Sequence, residues 1–152
     1  MVGKWELYML EDVIKQRRLR LDVSIFENVM RSGIVADRMA LTRQLCDRLN
    51  DPHSGLDECR QVMPIVTKLA CDTDRHIRDI IASRLLKTDG LSADLVFAIV
   101  ADEDDIAIPF IGLNPSLDDS IMKTILAVGD LKRCKAVAER PDLGAESVRK
   151  IM

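Results

Sequence analysis

The sequence predicts an all-α fold made of stacked helix pairs. Apolar residues recur at helical spacing in three segments, so each segment has one apolar face to bury. The alternation of β-branched residues that indicates strands is absent, and aromatic residues are only 3% of the 152-residue chain. Turn-forming residues separate the periodic segments at short intervals. These observations favour short helices joined by tight turns.

The periodic segments define the clearest helices. Their apolar stripes comprise Val62, Met63, Val66, Leu69 and Ala70, then Ile77, Ile80, Ile81 and Leu85, and then Ile121, Met122, Ile125, Leu126 and Val128. The segment Leu95–Ala101 is apolar all round, and its helical neighbours favour a helix covered on most sides over a buried strand. We predict helices near residues 4–18, 23–32, 36–49, 58–71, 75–87, 93–102, 105–113, 119–128, 131–139 and 145–151.

A leucine before a polar or small residue opens four of these helices and indicates an internal repeat. The leucines are Leu56, Leu91, Leu117 and Leu143, at spacings of 35, 26 and 26 residues. We expect Asp57, Ser92 and Asp118 to cap free backbone N–H groups and each leucine to act as a hydrophobic staple at the helix entry. One such unit cannot bury its own apolar face, so the units must stack.

The segment Asp74-Arg75-His76-Ile77-Arg78 gives a more specific indication. HEAT repeats place an aspartate in the turn and an Ile-Arg or Val-Arg pair in the next helix, so the acid caps the helix and the apolar residue enters the core. We therefore predict a HEAT-like α-solenoid of about ten helices. It is expected to form a single helical-repeat domain over residues 1–152, with N-terminal helices in 1–35 and repeat units in 36–152.

The chain from about Leu56 to Met152 resembles the domain of unknown function 2336, an alphaproteobacterial family with HEAT-like repeats. The resemblance lies in Asp74-x-x-Ile77-Arg78, Asp102-Glu-Asp-Asp-Ile106-Ala107-x-Pro109, Leu113-x-Pro115-x-Leu117-Asp118-Asp119 and Ala138-x-Arg140-x-Asp142-Leu143. It implies an α-solenoid in the bacterial cytoplasm. It implies no activity, because the family has none assigned and fold alone does not define function.

Composition also indicates where in the cell the protein is expected. Hydrophobic residues are 47% and charged residues 31% of the chain, which argues against disorder. No apolar run approaches the roughly 20 residues needed to span a bilayer. Acids at Glu6, Glu11 and Asp12 are out of place in a secretory signal. We expect a cytoplasmic protein that does not enter a membrane.

No motif for a metal, a cofactor or a catalytic group stands out. The four cysteines lack a C-x-x-C pair, and in a reducing compartment we interpret them as small core residues. They are Cys46, Cys59, Cys71 and Cys134. The only histidines, His53 and His76, have no zinc-like spacing to them. We predict no catalytic residue, no metal and no cofactor.

Charge is spread unevenly along a chain whose net charge is −3. Residues 88–122 contain eight acids and no Lys, Arg or His, whereas residues 123–152 contain seven bases and four acids. Within the acidic segment, Asp102, Glu103, Asp104 and Asp105 lack the spacing of a calcium loop. We interpret them as a solvated turn whose acids cap the next helix, favoured by the helix dipole.

Such charge asymmetry bears on association rather than on fold. We predict a non-enzymatic protein–protein interaction module, a scaffold or adaptor, whose partner is a protein. The alternative is a nucleic-acid-binding or base-processing helical-repeat protein, which a pI near 5.4 and the base-free segment argue against. An enzyme with a cleft invisible in the sequence is the third hypothesis. The candidate interaction residues are Arg17, Arg18, Arg20, Asp102, Glu103, Asp104, Asp105 and Ile151.

We expect self-association as a symmetric homodimer. The predicted last helix ends with Ile151 and Met152, and a solenoid end needs a polar cap or a partner. In the alternative, Val148 and Ile151 fold back towards Val137 and leave a monomer. Light scattering coupled to size exclusion, from micromolar to hundreds of micromolar protein, should give twice the chain mass of 17.1 kDa. A constant single-chain mass would contradict the dimer.

Overall fold

The structure, a computed structural model, describes residues 27–29, 31 and 33–143. Its regular secondary structure is helical, and no strand occurs among these residues, so the all-α class is confirmed. Residues 27–29 and 31 are helical and lie within the predicted helix near 23–32. The helices with described bounds are α1 (Val35–Asn50), α2 (Leu56–Leu69), α3 (Arg75–Arg84), α4 (Ala93–Val100), α5 (Asp104–Leu113), α6 (Asp119–Val128) and α7 (Leu131–Ala138). The predicted helices near 4–18 and 145–151 lie outside the described residues. Among the helices described, none is both long and apolar enough to cross a bilayer.

The chain divides into two units, Met1–Leu41 and Thr42–Met152. In the second unit, consecutive helices pair: α2 contacts α3, α4 contacts α5, and α6 contacts α7. The pairs also contact one another, because α2 packs on α4 and α5 packs on both α3 and α7. Helices this short are not stable alone in water, so these contacts hold each helix in place.

Most residues of the predicted apolar stripes are buried. Val66, Ile77, Ile81, Leu95 and Phe110 are all fully buried. They lie on the faces through which α2 to α5 contact one another. Burying one such side chain stabilises the fold by about 1.5–3 kcal/mol relative to leaving it exposed. The periodicity therefore identified part of the core of this unit.

Two predicted core positions are wrong. Phe97 of α4 is 38% exposed, because the buried face of this helix passes through Leu95, Val96, Ile99 and Val100 and leaves position 97 on the other side. The apolar segment is thus covered on one face rather than on most sides. Val128 ends α6 and is exposed, since Gly129 follows at once with a left-handed backbone and terminates the helix.

The predicted capping residues are correct for three helices and wrong for one. The side chains of Asp74, Ser92 and Asp118 accept hydrogen bonds from backbone N–H groups in the first turns of α3, α4 and α6. Helix α2, however, begins at Leu56 itself, with Gly55 as its N-terminal flank and no side-chain cap. Asp57 therefore lies inside the first turn, and Leu56 is 71% exposed instead of acting as a staple.

A buried asparagine closes the C-terminal end of α3. Asn114 follows α5 and is completely buried. Its Nδ2 donates to the backbone carbonyls of Leu85, Leu86 and Thr88 at 2.7, 3.1 and 3.1 Å. Its Oδ1 accepts from the N–H of Ser116 at 2.8 Å. One side chain therefore adds hydrogen bonds to the carbonyls at the end of α3, of which those of Leu85 and Thr88 also accept from the Thr88 N–H and the Ser116 hydroxyl.

A buried arginine closes the C-terminal end of α5, one helix pair later. Arg140 follows α7, and its Nη1 donates to the carbonyl of Ile111 at 2.7 Å. Its Nε and Nη2 donate to the two carboxylate oxygens of Asp142, both at 3.0 Å. The bidentate pair fixes the guanidinium plane, so its third nitrogen points at the end of α5.

Replacing Ile81 by alanine should lower the free energy of unfolding by about 2–5 kcal/mol, because the side chain is fully buried and leaves a cavity. Phe97→Ala should cost clearly less, since the ring is partly in solvent. Urea denaturation followed by circular dichroism measures both. Equal losses for the two variants would contradict the helix faces described here.

Candidate interaction surface

The acidic turn, Asp102–Asp105, lies between the N-terminal ends of two basic helices. It leads into α5, which packs on both α3 and α7. The neighbouring bases are two arginines at the start of α3 and a lysine and an arginine at the start of α7. These bases are Arg75, Arg78, Lys132 and Arg133.

On the α3 side, three carboxylates face two guanidinium groups. Arg78 Nη1 donates to Asp102 Oδ1 at 2.8 Å, and the Asp102 side chain is only 3% exposed. Arg75 lies 3.1 Å from Asp105 and 3.0 Å from Glu103. The hydrogen bond to Asp105, helped by the charge of Glu103, raises the pKa of Arg75 above its usual value. These contacts join the start of α3 to the start of α5.

On the α7 side, Arg133 joins three segments of backbone. Its Nη1 lies 3.0 Å from both Asp104 and Asp130, and its Nε donates to the carbonyl of Val100 at 2.9 Å. Its Nη2 donates to the carbonyl of Asp102. Arg133 therefore ties the end of α4 and the acidic turn to the first turn of α7.

The carboxylate of Asp104 is held by this side of the network. Lys132 Nζ lies 3.1 Å from Asp104 Oδ2. This hydrogen bond lowers the pKa of Asp104 below its usual range, against the opposing effect of desolvation, and Arg133 adds to the lowering. Both cations thereby keep the carboxylate ionised.

The predicted description of the turn as solvated and helix-capping is therefore wrong in part. Asp102 is buried in an ion pair, and Glu103, which precedes α5, makes no side-chain capping bond. Asp105 is solvated as predicted, with 79% of its side chain exposed. Between residues 33 and 143, no group of three or more His, Cys, Asp or Glu side chains is placed to hold a metal ion. The other predicted interaction residues, Arg17, Arg18, Arg20 and Ile151, lie outside the described residues.

Two ion pairs make the fold sensitive to acid. The hydrogen bonds from Arg140 lower the pKa of Asp142, as those from Lys132 lower that of Asp104. A carboxyl group whose folded pKa is depressed stabilises the fold above its unfolded pKa of about 4. That contribution is lost as the pH falls through the folded pKa. Both carboxylates are substantially exposed, so solvent screening keeps each contribution small.

A groove of about 430 Å³ lies between α5 and α7. One face of α5 forms its first wall and one face of α7 its second, and the turn after α7 closes it. The lining residues are Ile108, Pro109, Gly112, Leu113, Lys132, Lys135, Ala136, Glu139 and Pro141. Leu113 is 50% exposed, so the groove offers apolar surface to a binding partner.

A smaller groove of about 140 Å³ lies on the other side of α5, against α3. Its polar lining includes Asp79, Ser83 and Asp105, whereas the larger groove has Lys132 and Lys135 on its rim. Pro109 lines both grooves, so the exposed face of α5 is a ridge between them. The surface is acidic on the α3 side of this ridge and carries the lysines on the α7 side.

Sequence reasoning missed the larger groove, because its walls come from helices whose packing the sequence does not reveal. The sequence did contain one indication of this groove. Pro109 and Gly112 are poor helix formers three residues apart in an otherwise apolar helix. Such residues on one helix face indicate a surface where side-chain bulk is absent.

The cysteines offer no reactive group to this surface. Cys46 is buried, and desolvation raises its pKa to about 12, so the thiol stays protonated at neutral pH. The expectation of core cysteines is wrong for Cys71, which is exposed just after the end of α2. All four cysteines are free thiols.

Comparison with known proteins finds no matching family model, no matching curated protein and no matching solved structure.

Asp102→Asn should lower the free energy of unfolding by about 1–3 kcal/mol, because it leaves the half-buried guanidinium of Arg78 without its nearest charge. Asp105→Asn is the matched control in the same turn, and losing its exposed, solvent-screened pair with Arg75 should cost clearly less. Urea denaturation at neutral pH measures both. If Asp105→Asn were the more damaging variant, the assignment of Asp102 as the structural carboxylate would be wrong.

Proposed function

We propose that this protein is a non-enzymatic interaction module, a scaffold or adaptor, that binds a segment of a protein partner in the groove between α5 and α7. The observation that carries the proposal is the exposed apolar face of Leu113, Pro109 and Ile108 between two helices. A groove between helices that keeps apolar surface open to solvent is a common site for a peptide segment.

Both walls of the groove are tied together at each end. At the start of the helices, Arg133 of α7 holds Asp104 of α5 at 3.0 Å. At the other end, Arg140 donates to the carbonyl of Ile111 at 2.7 Å. The residues of the two ties are seven positions apart in both segments: 104 and 111 in α5, and 133 and 140 in α7 and the turn after it. A binding surface held in this way loses little freedom when a partner binds, which favours affinity.

The four groups whose pKa is clearly shifted, Asp104, Asp142, Arg75 and Cys46, give no support to an acid–base role. General acid–base catalysis needs a pKa near neutrality. The shifts at Asp104 and Asp142 are downward, and those at Arg75 and Cys46 are upward. Each shift moves the group further from neutrality and holds it in its ordinary protonation state. These groups therefore serve structure rather than proton transfer.

The finer architecture belongs to the same proposal. The pairing of α2 with α3 and α4 with α5, and the packing of pair upon pair, support a HEAT-like solenoid. The resemblance to the domain of unknown function 2336 and its bacterial cytoplasmic setting fit this architecture. Homodimerisation stays a prediction for the light-scattering experiment.

The arginines around the acidic turn give the nucleic-acid alternative no support. Phosphate binding requires basic side chains that are available to the ligand. Arg75, Arg78 and Arg133 instead lie against carboxylates of the acidic turn or of Asp130. These arginines hold helices together, and we therefore favour a protein partner.

Affinity capture from native lysate should recover partners with the wild-type protein and lose them with Leu113→Asp, which places a charge in the groove. Leu56→Asp is the matched control, because Leu56 is also an exposed helical leucine but lies on α2, outside the groove. Mass spectrometry of the captured proteins compares the three baits. Equal recovery with both variants would contradict the proposed function.

A further inference from the structure

We infer that the groove selects an acidic segment of its protein partner, with an apolar side chain seated between Gly112 and Ala136 and carboxylates on the lysine rim. This inference rests on the proposed function, because it specifies the chemistry of what the same groove binds. Two independent features carry it, the charge of the rim and the position of a glycine.

The rim of the groove is basic in a chain that is acidic overall. Its charged lining residues are Lys132, Lys135 and Glu139, two cations against one anion. Both ammonium groups are largely in solvent, with about three quarters of each side chain exposed. A carboxylate of a bound segment therefore meets two exposed lysines on this rim, each of which is paired at the surface with one carboxylate, Asp104 or Glu139.

The lysines are free to exchange partners. Lys135 lies 3.8 Å from Glu139, and Lys132 lies 3.1 Å from Asp104. Exposed pairs of this kind contribute little to stability, because solvent and salt screen them. Asp104 keeps its contact with Arg133 when Lys132 turns towards a ligand. Binding a carboxylate therefore does not leave a charge unpaired within the fold.

Gly112 opens the backbone of the α5 wall to the groove. It lies inside α5 with no left-handed backbone angle, and nothing lies within 4 Å of the position that a Cβ atom would take. Neither backbone geometry nor packing therefore requires a glycine, which is the least favourable residue in a helix after proline. The missing side chain does leave room in the groove. Ala136 on the facing wall is also small, so an apolar side chain can reach both helices.

The smaller groove carries the opposite charge in its lining. Across the ridge of α5, the smaller groove is lined by Asp79 and Asp105 and by no lysine or arginine. A basic segment would gain charge complementarity there and lose it at Lys132 and Lys135. Electrostatic complementarity of this kind sets partner choice and register more than total affinity.

The test begins with selection of short peptides from a random phage-displayed library on the full-length protein. The expected sequences combine an apolar residue with neighbouring aspartates or glutamates. A fluorescein-labelled selected peptide is then titrated by fluorescence anisotropy. The double variant Lys132→Glu/Lys135→Glu should weaken binding by at least about tenfold (~1.4 kcal/mol). Lys123→Glu, an exposed charge reversal on α6 outside the groove, should leave binding unchanged.

Gly112→Ala separates a binding role from a structural one. The variant should raise the melting temperature, because alanine is the better helix former and meets open space, and it should weaken peptide binding. A glycine that served the fold alone would give the reverse pattern, and that result would overturn its assignment to the groove.

The remaining outcomes separate this inference from the proposed function. Selected peptides that lack acids, or that bind the double lysine variant as well as the wild type, would overturn the acidic preference and leave the interaction module standing. If no selected peptide loses its binding in the Leu113→Asp variant, both the acidic preference and the proposed function would be overturned. A wild-type dimer that Leu113→Asp converts to a monomer would assign the groove to a second copy of the chain and overturn the inference of a separate partner.

Discussion

The closure of the C-terminal ends of α3 and α5, each by a side chain from the following helix pair, is the constraint on which this structure depends. A helix leaves its last carbonyl groups without intrahelical partners, and burial makes unpaired carbonyls costly. In helices of 8–14 residues these ends are a large share of the backbone. Asn114 closes α3 and Arg140 closes α5, each from 29 residues further along the chain at Leu85 and Ile111. The stacking of one helix pair on the next therefore also provides hydrogen bonds to these helix ends.

The acidic turn provides the corresponding connection at the other end of the helices. Along the sequence the acids and bases lie in separate blocks, which suggests broad patches of opposite charge. Folding instead places Asp102 against Arg78 and Asp104 against Arg133. Most of the charged side chains around the acidic turn are therefore paired with one another within the fold. Lys132 and Lys135, whose pairs with Asp104 and Glu139 lie in solvent, are exposed on the rim and give the groove lining more positive than negative charge.

Together these connections explain how a small, aromatic-poor protein can present a defined groove. The apolar floor at Leu113 and Pro109 is exposed because α5 buries its other face among α3, α4 and α7. The ties at both ends fix the separation of α5 and α7, so the groove does not depend on a bound partner to form. Gly112 makes α5 less stable than alanine would, and it leaves the backbone of α5 accessible from the groove.

The sequence by itself determined the helical class, part of the core and the capping residues of three helices, because these depend on residues within one or two turns of each other. Ile77, Ile81 and Ser92 were identified in this way. Tertiary structure alone decided which face of the apolar helix α4 is buried and left Phe97 in solvent. It also decided the partner of Asp102, 24 residues away in Arg78, and the groove between α5 and α7. Such features arise from contacts between helices, and helical periodicity carries no information about which helices meet.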